Sequence, residues 1–170
     1  MSLNLYIESK TPVYHRGTGV YIRVNGETKE LKTKQEVLTY FPDANPDEIK
    51  ETSYVDNEYF HMNITHNLTE MADQCEVTGT CSTYKDTVSL YDLLWHPEEN
   101  LGITALTKEY LNDVTKCFLK LTSTPEFFEK YNPDNGWGTY DQLVEKTKQY
   151  IIALLKIHTD FENYTLITST

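Results

Sequence analysis

Leu3, Leu5 and Ile7 alternate with Asn4, Tyr6 and Glu8, and Val20, Ile22 and Val24 alternate with Tyr21, Arg23 and Asn25. A period of two puts one set of side chains on a buried face and the other toward solvent, which predicts two strands. Asn25 and Gly26 both tolerate positive φ, so a tight hairpin is expected to return the chain into residues 27–33. Thr33 can cap a short helix over 34–41 that Pro42 ends, and Asn45 with Pro46 opens another brief turn. Residues 53–65 alternate again, with Phe60, Met62 and Ile64 on one side and Tyr59, His61 and Asn63 on the other.

From Thr65 onward the period changes. Thr65 can cap a helix carrying His66, Asn67, Leu68, Met71 and Ala72. Residues 74–88 keep neither period and contain Gly79, which reads as a loop. Ser89 starts a short helix through Leu90, Leu93, Leu94 and Trp95 that Pro97 is expected to stop. Two stronger helices follow. Thr107 caps the first, whose Tyr110, Leu111, Val114, Cys117, Phe118 and Leu121 recur at three and four. Thr124 and Pro125 start a helix of one or two turns, and NPDNGWG over 132–138 is a dense turn signal. Thr139 with Gln142 then forms a capping box for a final helix lined by Leu143, Thr147, Tyr150, Ile151 and Leu154. Residues 162–169 read as a closing strand at or beside the sheet edge.

The expected class is therefore α+β: a small antiparallel sheet with an N-terminal hairpin, covered by three to four helices of which the two long ones are C-terminal. The 170 residues suit a single domain, with 1–58 a hairpin-rich N-terminal extension and 59–170 a helical core with its closing strand.

Charge narrows the choice of partners. The chain carries 15 Lys and Arg against 26 Asp and Glu, a formal charge of −11, and within 61–105 only Lys85 is basic. Such a surface repels a duplex phosphate backbone, so duplex nucleic acid is not an expected partner. No apolar run reaches the length of a membrane span, and MSLNLYIESK has no signal-peptide character, so a soluble cytoplasmic protein with no membrane partner is expected. Three cysteines imply no disulfide framework, and Cys117 reads as core.

Three segments in one order, NITHNLTEMA (63–72), LYDLLWHPEE (90–99) and TPEFFEKYNPDNGWGTY (124–140), give the chain a further context. This order resembles a group of small phage and prophage proteins of unassigned function that share NITHNL-x-x-MA, LW-x-PEE and NP-x-NGWG-x-Y ahead of a long terminal helix. The resemblance covers about residues 59–168. It implies a phage-type accessory protein, in the host cell cytoplasm if phage-encoded, and brings no established activity. His96 stands where the group usually has Arg, which removes a fixed positive charge beside Glu98 and Glu99, and the 74–88 loop is longer than the pattern.

Among polar residues, His66, Asn67, Glu98 and Glu99 form the best cluster, because Thr65 and Pro97 bound neighbouring elements that can share a rim. Asn63, Trp95, Asn135 and Trp137 join them as candidate binding residues, the two indoles as aromatic platforms and Asn135 as the turn former before Trp137. His61, His66, Cys75 and Cys81 fit no familiar zinc spacing, so no metal is expected. No G-x-S-x-G, P-loop or dinucleotide fingerprint occurs, so no cofactor is expected either. The leading expectation is a non-enzymatic protein that binds a host protein or a small nucleotide-like ligand, with counter-defence one such role. Its rival is a small hydrolase or metal-dependent enzyme using His66 as a catalytic residue with Glu98 and Glu99. A third expectation is homodimerisation through the closing strand or a helix face.

Overall fold

A computed structural model of the chain describes residues 1–24, 27–81 and 83–170. In chain order the elements are β1 (Ser2–Gly17), β2 (Val20–Val24), β3 (Glu27–Leu31), α1 (Lys34–Tyr40), β4 (Thr52–Thr65), α2 (Thr69–Asp73), β5 (Glu76–Thr78), β6 (Thr87–Ser89), α3 (Leu90–Leu94), α4 (Pro97–Leu101), α5 (Lys108–Ser123), α6 (Pro125–Glu129), α7 (Tyr140–Ile157) and β7 (Tyr164–Ser169). The fold is α+β, as the two hydrophobic periods require. Its residues divide into two compact units, one of Met1–Lys10 with Glu58–Thr170 and one of Thr11–Asn57.

In the larger unit the sheet order is β4-β1-β7, with β7 on an edge and antiparallel to β1 from Asn4↔Ser169 to Ser9↔Tyr164. Leu3, Leu5 and Ile7 of β1, Met62 and Ile64 of β4 and Leu166 of β7 are buried on the helix-covered face. Each fully buried Leu or Ile removes enough apolar surface from water to stabilise the fold by about 2 kcal/mol. On the opposite face Asn63 Nδ2 donates to Ser2 Oγ at 3.0 Å and Asn4 Oδ1 at 2.9 Å, and Tyr6 stacks on His61 with ring centroids 4.5 Å apart.

Helices α5 and α7 pack against each other and line the same core. Their inner residues include Tyr110, Val114, Cys117 and Leu121 on one and Leu143, Tyr150 and Leu154 on the other. The tyrosines carry polar tips into the core and both find partners there. Tyr110 Oη donates to Leu93 O at 2.7 Å and lies 2.8 Å from Tyr150 Oη, so the second hydroxyl must be the donor of that pair. Burial first, and then each other's proximity, hold the Tyr110 phenol well above its ordinary range.

Helix ends follow the local rules. Thr33, Ser89, Thr107 and Thr139 each accept from a first-turn backbone N–H, and Ser89–Asp92 and Thr139–Gln142 are complete capping boxes. Two expectations need correction. Pro97 does not stop α3, which already ends at Leu94; it occupies the first turn of α4, where its missing N–H costs nothing. Residues 74–88 are not a plain loop either, because β5 and β6 pair antiparallel from Glu76↔Ser89 to Thr78↔Thr87. That arm is tied down by Asp113, a fully buried carboxylate that accepts from Thr80 N at 3.0 Å, from Thr80 Oγ1 and from Tyr84 Oη.

The smaller unit holds the β2–β3 hairpin, α1 and a 3₁₀ turn at Pro46–Glu48, together with the second half of β1 and the start of β4. β2 and β3 pair from Val20↔Leu31 to Val24↔Glu27, and the expected Asn25-Gly26 turn between them lies outside the described residues. Leu31 and Val37 of α1 are its buried apolar side chains, while Tyr14, Tyr21, Tyr40 and Tyr54 are exposed.

Candidate functional site

Thr65 leads from β4 into a single 3₁₀ turn, His66–Leu68, and accepts from Asn67 N at 3.4 Å. The turn is anchored through its backbone, since His66 N donates to Met1 O at 3.2 Å. His66 Nε2 is buried and has no hydrogen-bond partner among the described residues. Asn67 points the other way, and its Nδ2 donates to Trp137 O at 3.1 Å.

That bond joins the first of the three motif segments to the last. Within the last, Trp137 N donates to Asn135 Oδ1 at 2.9 Å, so an asparagine side chain holds each polar end of the Trp137 backbone. Gly136 and Gly138 adopt φ of 71° and 83°, a left-handed geometry that side chains resist. At Gly138 a second constraint applies: a Cβ there would come within 2.9 Å of Thr65 Cγ2 and 3.0 Å of Asn67 Cβ. Gln142 Oε1 then accepts from both Gly138 N and Thr139 N, tying the turn to the start of α7. The outcome is a pinned backbone that holds an indole 56% exposed.

The other indole is enclosed. Trp95 is fully buried and stacked on Tyr91 at 5.6 Å, and so offers no open face as a platform. Asn63 is occupied by Ser2 and Asn4 in the ladder across the sheet.

Glu98 and Glu99 converge with a histidine, and that histidine is His96. One ligand atom from each of His96, Glu98 and Glu99 lies within 4.8 Å of the others, the one such group among the described residues, and His66 is not in it. His96 Nδ1 is 3.7 Å from Glu98 Oε1, and Thr168 Oγ1 of β7 donates to the same oxygen at 2.9 Å. His96 is also the one non-glycine residue with positive φ among those described, at 53°. A side chain in that region just before a proline costs about 1–2 kcal/mol. The strain is held by Glu99 N and Asn100 N, which donate to His96 O at 3.0 and 2.9 Å, and by Asn100 Nδ2, which donates to Trp95 O. An imidazole with two carboxylates can take a divalent cation, or can simply form an ion pair when protonated. In the sequence His96 stands out only as the loss of an arginine's fixed charge beside Glu98 and Glu99. Its closeness in sequence to Glu98 and Glu99 is the available signal, and the left-handed backbone at His96 is what completes the convergence.

No family model matches the chain, and no curated protein and no solved structure matches it either. Among the described residues no helix is long and apolar enough to cross a membrane.

Proposed function

We propose that this chain is a phage-type accessory protein that acts by binding, with Trp137 at the centre of the contact and a host protein as partner. The observation that carries the reading is the exposed indole on a backbone clamped by Asn67 and Asn135. A large ring on rigid backbone loses little conformational freedom on docking, and such rings dominate interface energetics. Asp134 and Asp141, exposed on either side of Trp137 in the chain, and Glu70, exposed on α2, favour an apolar pocket with a basic rim on the partner.

The test is affinity capture from host extract with the native chain and with Trp137→Ala, identifying both proteins and co-purifying small molecules by mass spectrometry. A host protein retained by the native chain and reduced at least ~10-fold by the variant, at equal melting temperature, supports the reading. A nucleotide-like molecule lost in the variant would instead identify the small-ligand alternative. Equal capture by both chains would overturn binding through Trp137.

The convergence of His96, Glu98 and Glu99 favours a second reading, a metal-dependent protein in which His96 takes the place first given to His66. Calorimetric titration with Zn²⁺ or Mn²⁺ decides it. Heat of binding that Glu98→Gln removes supports the site, and no heat with the native chain ends it.

A further inference from the structure

We propose that Cys75 and Cys117 are a modification site, a buried thiol pair that hydrogen peroxide closes to a disulfide linking the β5–β6 arm to α5. The two residues are 42 apart in sequence and each side chain points at the other's backbone. Cys75 Sγ lies 3.2 Å from Cys117 O, and Cys117 Sγ lies 3.5 Å from Cys75 O. Reciprocal placement of this kind faces the two Cβ–Sγ bonds toward one another, which is what closure requires.

The two sulfurs are not equivalent. The neighbouring Cys117 thiol lowers the pKa of Cys75, and Lys120, whose Nζ donates to Glu76 O at 2.6 Å, acts in the same direction. Cys117 is held up by the same contact and by burial. Cys75 is therefore the sulfur that reacts first, as its thiolate. It displaces hydroxide from peroxide and becomes a sulfenic acid; Cys117 sulfur then attacks that sulfur, water leaves, and the Cys117 proton goes to the leaving oxygen. In total two thiols and one peroxide give one disulfide and two waters.

Both thiols are fully buried. Access comes through the arm that follows Cys75, whose strands are three residues each and which opens at lower cost than the long helices. Cys81, half-exposed and hydrogen-bonded to Thr83, is the competing thiol and the internal control.

The experiment treats the full chain and its Cys81→Ser variant with millimolar hydrogen peroxide, followed by intact mass and peptide mapping under non-reducing conditions. The expected result in both proteins is loss of two hydrogens, a Cys75–Cys117 linked peptide, and a melting temperature raised by about 5 °C and restored by reductant. Only added oxygen atoms, linkage through Cys81, or two thiols still free after treatment would each overturn the proposal. Cys75→Ala and Cys117→Ala should each abolish the loss of two hydrogens; where either variant fails to fold, the map of the native chain decides alone.

Discussion

At the scale of single residues, Gly138 is the most constrained position of the Trp137 turn. Its positive φ and the lack of room beside Thr65 and Asn67 act together, so Gly138→Ala should destabilise the fold by about 2 kcal/mol, read by urea denaturation. Lys146 makes a prediction of the opposite kind. Desolvation holds its ammonium down, to about 8 from an ordinary 10.5. Below the lower value both folded and unfolded states are charged and the folded state bears the whole cost of burying the charge. Between the two values the folded protein gives up its proton first, so stability rises with pH across that window. Denaturation at about pH 7 and about pH 9.5 should show the rise, and Lys146→Met should flatten it while stabilising the protein near neutrality by about 1 kcal/mol, the residual exposure of the group being allowed for.

Among the elements, those specified by neighbours in sequence were legible and those specified from a distance were not. Thr107 and Thr139 announce α5 and α7 because a cap and a three-four stripe lie within a few residues of each other. The alternation of Leu3, Leu5 and Ile7 announces β1, but its second half carries mostly exposed side chains and no such signal, so its length of 16 residues was not readable. The β5–β6 arm is the clearest case. Nothing within 74–88 states that Asp113, on α5, will collect Thr80 and Tyr84. Asp113→Ala would remove the acceptor shared by the part-buried donors of Thr80 and Tyr84, and a loss of about 1–2 kcal/mol is expected. Hydrogen exchange checks the mechanism: amides of residues 76–89 should lose protection before those of α7, and uniform loss across the chain would place the effect elsewhere.

For the whole molecule, the candidate site was partly legible. Asn67, Asn135 and Trp137 were singled out from the motif segments, and they meet in space because a 3₁₀ turn and a glycine-flanked turn touch through one amide. Trp95 and Asn63 were singled out by the same reasoning and serve the core and the sheet, since composition does not report which face a side chain takes. The place of His96 in the cluster with Glu98 and Glu99 is not legible in the sequence, because its left-handed backbone is held by contacts from Asn100 and the start of α4. In the proposed function, one fixed, exposed indole on an acidic molecule is the point of attachment to another protein. Calorimetry with the captured partner decides this, comparing the native chain with Trp137→Phe and Trp137→Ala. A loss of affinity of about 30-fold or more is expected for alanine and a smaller loss for phenylalanine, with melting temperatures unchanged. Equal affinities for all three chains would contradict it.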